Sequence, residues 1–433
     1  MSTGRSLVRL AVPALGVLAA EPLYVLVDTA VVGHLGAVPL AGLALGGLVL
    51  SLVSTQLTFL AYGTTARVAR LHGAGEREAA IGVGVQATWL GVLIGVMLLI
   101  AGQALADPVA RALAGGPGPV ADGAVHWLRI ALFGVPFILV TLAGNGWLRG
   151  VQDTRRPLWY VVAGNGLSAV LCPLLVHVVH LGLTGSAVAN VVAQVTVAGL
   201  FLRALVRSGV PVRPHWAAMR AQLGMGRDLV LRSLAFQACF VSAASVAART
   251  SAAAVAAHQV VLQLWTFLAL VLDSLAIAAQ ALVGASLGSG DGVGARALAR
   301  RVSVYGLGFG VGTGVLFAAL AGVLPRAFTA DPGVLAQIPH AWWFFVGLQP
   351  VAGVVFAVDG VLLGAGDAAY LRTVTLVAAL VGFLPLVWVS LALHWGLTGI
   401  WTGLAAFMVV RLAAALARLA TGRWAVEGST VPV

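Results

Sequence analysis

The residues best suited to chemistry are two acidic side chains inside an apolar stretch near the N-terminus. Asp28 follows Glu21 by seven residues, with Pro22 between them. Seven residues are about two turns of a helix, so both carboxylates would lie on roughly one face. Burial favours the protonated carboxyl group, and an arriving cation favours the ionised one. We therefore predict proton–cation exchange at Asp28, with Glu21 as a further candidate. Pro22, which lacks a backbone donor, is the predicted hinge.

A second set of charged residues lies in apolar stretches of the C-terminal half. Arg249, Asp273 and Asp359 could converge as a compensated charge cluster, which would either couple to an ion or hold helices together. Asp359 is the stronger candidate of the two carboxylates, because a repeat in the chain aligns it with the neutral Asn145. We predict that Asp359 joins Asp28 in ion coupling, with Asp273 as a further candidate.

Uncharged polar residues in the apolar stretches could line a cavity for a small molecule. The predicted lining residues are Asn145, Asn165, Gln56 and His258. His258 stands alone in its stretch, and a hydrogen-bonded histidine at a helix interface is the simpler explanation of it. No spacing of His, Cys, Asp and Glu is typical of a metal site, and no Ser-His-Asp set is visible. We therefore predict no metal and no cofactor.

Composition places these residues in a lipid bilayer. The chain is 60% hydrophobic and 9% charged, and residues 29–66 and 157–202 are among several runs without a charged side chain. One transmembrane helix needs about 20 apolar residues, so the longest runs hold two helices each. The sequence predicts an all-α integral membrane protein. Its twelve transmembrane helices are expected near residues 10–34, 38–64, 80–106, 122–148, 157–180, 184–206, 225–249, 255–284, 297–324, 337–363, 372–393 and 397–420.

The chain repeats itself with an offset of about 214 residues. The sequence Gly-Leu-Thr-Gly at 182–185 returns at 396–399, and Pro136 aligns with Pro350. The repeat predicts two pseudo-symmetric six-helix lobes, an N-lobe at 1–206 and a C-lobe at 225–433, joined by a cytoplasmic connector at 207–224. In membrane proteins built from such repeats, a small molecule binds where the repeats meet, and one repeat rocks against the other.

The basic residues indicate how the chain is oriented in the membrane. All 25 are Arg. With a cytoplasmic N-terminus, 21 lie on the cytoplasmic side, and the exceptions are Arg111, Arg129, Arg249 and Arg326. This positive-inside distribution predicts a multi-pass protein with both termini in the cytoplasm. It also explains the net charge of +11 without nucleic acid as a partner. The absence of Lys is typical of GC-rich genomes and favours a bacterial inner membrane.

Four sequence fragments resemble one family in order along the chain. They are Val-Asp-Thr-Ala at 27–30, Ala-Ala-Arg at 247–249, Leu-Asp-Ser at 272–274 and Val-Asp-Gly-Val-Leu at 358–362. Together they resemble the MATE (multidrug and toxic compound extrusion) family, and within it the DinF subgroup. The resemblance spans about residues 10–421. It implies two six-helix lobes around a V-shaped central cavity, and efflux of organic, often cationic, compounds in exchange for protons or sodium ions.

The resemblance also implies a role for Asp28, which matches the first-helix carboxylate that the family links to cation coupling. Many relatives carry Asn and Asp four residues apart in the fifth helix, whereas Ser168 and Cys172 stand there in this chain. The acidic residue in the tenth helix of NorM-type relatives is also replaced, near Ala352. A hard cation needs several oxygen ligands, so these departures favour a proton as the coupling ion, with Na+ as the alternative.

Taken together, these observations predict a proton-coupled antiporter that exports small organic compounds from the cytoplasm by alternating access. The first alternative is a flippase for lipid-linked precursors, which would need several basic residues inside the N-lobe. The second alternative is sodium-coupled efflux. An intramembrane enzyme would need clustered His, Asp and Glu at one membrane face, whereas the acidic residues here are scattered, so we predict a transporter and no enzyme. The expected partners are a small organic substrate and membrane lipid, with the protein a monomer.

Overall fold

A computed structural model describes residues 3–430, except for the side chain of Thr3, and is all-α over that range. The first six spans are formed by α1 (Thr3–Gly33), α2 (Ala37–Leu57), α3 (Phe59–Gly73), α4 (Arg77–Ala114), α5 (Pro119–Ala131), α6 (Val135–Gly150), α7 (Arg155–Pro173) and α8 (Leu183–Val206). The last six, with two short helices between spans, comprise α9 (Trp216–Thr250), α10 (Ala252–Gly288), α11 (Gly292–Ala319), α12 (Leu324–Phe328), α13 (Pro332–Gln337), α14 (Pro339–Ala365), α15 (Ala368–Val377), α16 (Leu384–Ala392) and α17 (Gly396–Thr421). Twelve helical segments in the described range are long and apolar enough to cross a membrane, which confirms the predicted fold class.

Several spans are interrupted in ways that hydropathy does not reveal. The second span breaks at Thr58 into α2 and α3, and a 3-10 turn at Leu132–Gly134 divides the fourth into α5 and α6. The fifth and eleventh spans each contain one turn of π-helix, at Leu174–Val178 and Ala378–Phe383. A π-turn inserts an extra residue into the helical ladder, and such turns occur often at functional sites.

The chain divides into two compact units, one made of residues 12–226 and the other of residues up to 11 with those from 227 onward. We call them the N-unit and the C-unit. The predicted connector at 207–224 is partly wrong, because α9 begins at Trp216 and only residues 207–215 separate it from α8. The first turns of α9 belong to the N-unit, where the apolar side chain of Met219 is buried. At the other end, Leu7 and Leu10 pack in the C-unit core.

The sequence repeat is visible as a repeated helix contact inside each unit. In the N-unit, a Cβ atom on Gly95 of α4 would lie 2.4 Å from the Cα atom of Pro136 on α6. In the C-unit, a Cβ atom on Gly310 of α11 would lie 2.7 Å from the Cα atom of Pro350 on α14. Only glycine permits backbones to approach so closely. The repeated glycines and prolines therefore mark the same crossing of two helices in both units.

The repeated Gly-Leu-Thr-Gly sequence has a backbone explanation. Gly182 and Gly396, which begin the two copies, have φ angles of +55° and +59°. At Gly182, ψ is −135°, and residues other than glycine avoid this combination of φ and ψ angles. His180 and His394, two residues earlier, also have positive φ angles, of +58° and +56°. Both units therefore turn from their fifth to their sixth span with the same strained geometry.

Candidate functional site

Asp28 is the centre of a polar cluster in the N-unit. The side chain lies on α1 and is 4% exposed. The Cys172 thiol of α7 donates a hydrogen bond to Asp28 Oδ1 at 3.1 Å. The Ser186 hydroxyl of α8 is also hydrogen-bonded to this carboxylate. Among the described residues, no basic side chain forms an ion pair with Asp28, so the partners that the structure gives this buried carboxylate are neutral.

Three helices place polar residues in this cluster as pairs spaced by four positions. The pairs are Tyr24 and Asp28 on α1, Ser168 and Cys172 on α7, and Ser186 and Asn190 on α8. A spacing of four puts both members on one helix face. Asn190 Nδ2 donates to the Tyr24 hydroxyl at 3.2 Å, and this hydrogen bond joins the pair on α8 to the pair on α1. Sequence reasoning missed Tyr24, Ser186 and Asn190, although the spacing of four was visible.

The Ser186 hydroxyl is oriented by a neighbour on α5. The indole Nε1 of Trp127 donates to Ser186 Oγ at 3.1 Å. A hydroxyl has one proton to donate, and its oxygen accepts in other directions. Because the oxygen of Ser186 accepts from Trp127, its proton is available for the Asp28 carboxylate. Next to Trp127 in the chain, the His126 ring is hydrogen-bonded to Thr184 at 2.9 Å. The cluster is therefore supported from α5 as well.

Because the hydrogen-bond partners of Asp28 are neutral, its carboxylate can gain a proton without breaking an ion pair. Adding a proton to Asp28 would rearrange its hydrogen bonds with a thiol and a hydroxyl, and a hydrogen bond to a charged group is worth about 1.5–3 kcal/mol. Breaking a buried ion pair would cost more, about 3–5 kcal/mol. A buried carboxylate without a counter-charge is also the group most stabilised by an arriving cation or proton. The arrangement is therefore suited to reversible loading of Asp28 with a positive charge.

Asp359 has the opposite environment, in the C-unit. Arg411 of α17 contacts Asp359 Oδ2 at 2.5 Å, and Arg232 of α9 contacts the same oxygen. The Phe236 ring lies 4.9 Å from the Arg411 guanidinium and 5.6 Å from that of Arg232. These three side chains, of which Arg232 is half-buried and the other two are buried, carry one excess positive charge among them. Protonation of Asp359 would break two ion pairs, whereas protonation of Asp28 would break none.

The predicted cluster of Arg249, Asp273 and Asp359 is wrong in its basic member. Arg249 lies 17 residues beyond Arg232 on the same continuous helix, α9, which is about 26 Å along the axis. Arg249 is exposed, and its guanidinium stacks on the Trp388 ring at 5.3 Å. Arg249 therefore cannot reach the carboxylate that Arg232 contacts.

The remaining acidic candidates lie at different places. Asp273 is half-buried on α10, three residues before Ala276, whose carbonyl oxygen lies against Gly360 of α14. Asp273 is therefore close in height to Asp359, on the neighbouring helix. Glu21 is exposed on α1, and no contact joins it to the Asp28 cluster in the described part of the chain. Pro22 lies inside α1, which is helical on both sides of it.

The structure does not bring the predicted uncharged lining residues into one place. Asn145 and Gln56 lie in the N-unit, and their side-chain oxygens are buried without a hydrogen-bond partner. Asn165 is half-buried on α7. His258 lies in the C-unit, and neither ring nitrogen has a partner, so the expected hydrogen bond of this histidine is wrong. The His258 ring instead meets the edge of Trp401, with centroids 6.0 Å apart.

The described residues contain no group of three or more His, Cys, Asp and Glu side chains that could hold a metal ion. The Asp28 cluster contains two side chains of these types, Asp28 and Cys172. Its other members carry hydroxyl and amide groups. The cluster is therefore suited to hydrogen bonding and proton chemistry rather than to binding a transition metal.

Comparison with known proteins identifies the family. The MatE family model matches residues 13–174 and 229–389. DNA damage-inducible protein F of Escherichia coli is 32% identical over 95% of this chain and 90% of its own, and DETOXIFICATION 44 of Arabidopsis thaliana is 34% identical over 97% and 83%. A probable multidrug resistance protein NorM of Thermotoga maritima is 24% identical over 97% and 93%. A crystal structure of a MATE protein in the bent conformation has a TM-score of 0.88 at 22% identity, covering 98% of this chain and 95% of that one. The chain belongs to the MATE family, whose members are secondary transporters and not enzymes.

Proposed function

We propose that this chain is a proton-coupled antiporter that exports small organic compounds, often cationic, by alternating access. The observation that carries the proposal is the Asp28 carboxylate, buried in a membrane span with a thiol and a hydroxyl as its partners. A relative that carries the name of a probable multidrug resistance protein supports small organic substrates. We further propose a monomer in the bacterial inner membrane with both termini in the cytoplasm.

Loading and release of the proton would change the shape of α1. A protonated Asp28 donates one hydrogen bond where the ionised form only accepts, so its contacts with Cys172 and Ser186 must rearrange. Pro22 lies six residues earlier and cannot donate to the carbonyl of residue 18, which leaves α1 weaker there. We propose that α1 bends at Pro22 when Asp28 is protonated, and that this bend releases the exported compound.

The residues around Asp28 favour a proton over a sodium ion. Hard cations require several oxygen ligands, and the closest neighbour of Asp28 Oδ1 on α7 is the sulfur of Cys172. One carboxylate suffices for a proton. Sodium coupling is the second candidate, favoured by one observation: Asn190 Oδ1, in the same cluster, is buried without a hydrogen-bond partner.

A flippase for lipid-linked precursors is a third candidate, which buried basic residues of the N-unit favour. Arg70 and Arg149 are both buried. They lie, however, within four residues of the ends of α3 and α6, so they are not deep in their spans. Anionic headgroups would need positive charge along the whole path across the membrane. The position of these two arginines therefore favours an antiporter over a flippase.

The test is substrate-driven change of internal pH in vesicles that contain the purified full chain, with and without sodium. We expect the wild type to exchange a fluorescent organic cation for protons in the absence of sodium. Asp28→Asn should abolish the exchange, and Asp107→Asn, which changes an exposed ion pair with Arg111, should leave it intact. Exchange in Asp28→Asn at the wild-type rate would disprove the assignment, and strict dependence on sodium would favour the second candidate.

A further inference from the structure

The N-unit contains a cavity that plays no part in the proposed transport cycle. It has a volume of about 550 Å³ and lies where the end of α3, the start of α4 and the start of α9 meet the segment 211–215. Its polar lining comes from Arg67, Gln86, Arg213, His215 and Gln222. The remaining wall consists of small and apolar residues, so a ligand with a charged part and an apolar part would fit it.

One wall of the cavity is a chain segment that is fixed in place by side chains of α4. Gln86 Nε2 donates to the Arg213 carbonyl oxygen at 2.9 Å, and Gln86 Oε1 accepts from the His215 backbone N–H at 2.7 Å. Trp89 Nε1 donates to the Val212 carbonyl oxygen at 2.8 Å. Gln86 is buried and uses both ends of its amide in these contacts. The segment between α8 and α9 is therefore an ordered wall of the cavity.

The cavity is basic, and its charges are not neutralised by the protein. No carboxylate lines it, and within the described range no ion pair involves Arg67 or Arg213. The Arg67 guanidinium donates to the Ala221 carbonyl oxygen, which leaves further N–H groups for a ligand. The Arg213 side chain is exposed. Arg67 and Arg213 are both lining residues of the cavity, and a guanidinium group binds anions through charge-assisted hydrogen bonds.

The α4 residues of this cavity lie at the start of the third predicted span, residues 80–106, which is the edge of the membrane where lipid headgroups lie. α4 contains 38 residues and is therefore about 57 Å long, nearly twice the hydrocarbon core of about 30 Å. The cavity uses only its first ten residues, together with the first turns of α9 and the end of α3. These helix ends lie on the side that the arginine distribution predicts to be cytoplasmic, where the leaflet is rich in anionic lipid.

From these observations we infer that the cavity binds the headgroup of an anionic phospholipid. The phosphate lies between the Arg67 and Arg213 guanidiniums, and the glycerol backbone lies on the wall formed by Gly82 and Val83. Both sides of the cavity, α4 and the start of α9, then contact one lipid molecule. The inference does not depend on the coupling ion or on the exported compound.

The experiment is a titration of the purified full chain in detergent with phosphatidylglycerol and, in parallel, with phosphatidylcholine, read by native mass spectrometry. Arg213→Gln removes one charge, and Arg213 holds the wall through its backbone only, so this variant keeps the cavity intact. Arg220→Gln is the matched control, because Arg220 is exposed on the same part of α9 and does not line the cavity. Arg213→Lys tests whether the charge alone is sufficient.

We expect Arg213→Gln to bind phosphatidylglycerol about fivefold more weakly than the wild type, from about 1 kcal/mol per basic residue at an anionic surface. Arg220→Gln should bind like the wild type, Arg213→Lys should recover most of the affinity, and phosphatidylcholine should bind weakly to all four proteins. Equal affinity of Arg213→Gln and Arg220→Gln for phosphatidylglycerol would overturn the site. Binding of inorganic phosphate that is sensitive to Arg213, with no binding of phosphatidylglycerol, would overturn the lipid and assign the cavity to a free anion. Lipid binding is measured without transport, so the result for Asp28→Asn in the transport assay does not affect these outcomes.

Discussion

The excess positive charge around Asp359 can be tested by a double-mutant cycle. Arg232 and Arg411 share one carboxylate oxygen, and the side chains of Arg411 and Asp359 are 4% and 9% exposed. Asp359→Asn removes the carboxylate that the buried Arg411 and the half-buried Arg232 share, and breaking a buried pair in this way costs about 3–5 kcal/mol. Arg411→Met leaves one arginine for one aspartate. It removes one charge-assisted hydrogen bond, worth about 1.5–3 kcal/mol, and also the repulsion between like charges.

The stability of the wild type should therefore exceed that of Arg411→Met, which should exceed that of Asp359→Asn. The cycle predicts a change of sign: Arg411→Met lowers the stability of the wild type and raises that of Asp359→Asn, because it removes an uncompensated charge. The assay is the apparent melting temperature of the purified full chain in one detergent at one scan rate, followed by tryptophan fluorescence. Arg423→Met, an exposed arginine of the C-unit, is the control and should change nothing.

A double variant less stable than Asp359→Asn alone would contradict an excess positive charge at this site. So would stability losses of the two single variants that simply add in the double variant. Additive losses would mean that the two side chains do not interact, although they are 2.5 Å apart.

Gly310→Ala should lower the apparent melting temperature, because its Cβ atom would lie 2.3 Å from the Gln349 carbonyl oxygen and overpacking costs about 1–3 kcal/mol. Gly312→Ala, with no atom within 4 Å of its Cβ, is the control and should be neutral, and equal effects of the two would contradict the crossing. Ser186→Ala should slow proton exchange and destabilise the N-unit by about 1–3 kcal/mol, because it leaves the buried Trp127 N–H unpaired as well as removing a donor to Asp28. Ser186→Thr keeps the hydroxyl and should retain exchange, so failure of this variant together with success of Ser186→Ala would exclude the proposed orientation of Ser186.

The spans and the repeat could be predicted from the sequence, because the spans depend on local composition and the repeat on residues that recur at a fixed offset. Runs without charge must cross the membrane, and Pro136 and Pro350 recur because the same helix crossing occurs twice. Asp28 was identifiable for the same reason, since a carboxylate in an apolar run is costly without a function. These features are local to one stretch of chain, so periodicity and spacing can reveal them.

The partners of the acidic residues could not be identified in this way, because they come from distant parts of the chain. The positive-inside count puts Arg232 on the cytoplasmic side, whereas in the structure it lies 16 residues into α9 and contacts Asp359. Arg411 is counted on the same side, although it lies ten residues before the end of α17 and contacts the same carboxylate oxygen. Helices longer than the hydrocarbon core extend beyond the apolar run that hydropathy detects. Ser186 carries no charge, and its spacing of four from Asn190 does not by itself distinguish it from a residue that only packs.

The hydrogen bond from Cys172 to Asp28 makes the cluster observable without any label. The S–H stretching vibration absorbs in a region of the infrared spectrum where other protein groups are silent, and its frequency falls when the thiol donates to a carboxylate. Cys239, the other cysteine of the chain, is buried in the C-unit core and supplies an internal reference band. A difference spectrum recorded while the pH is changed would therefore report the charge on Asp28 through the thiol of its neighbour.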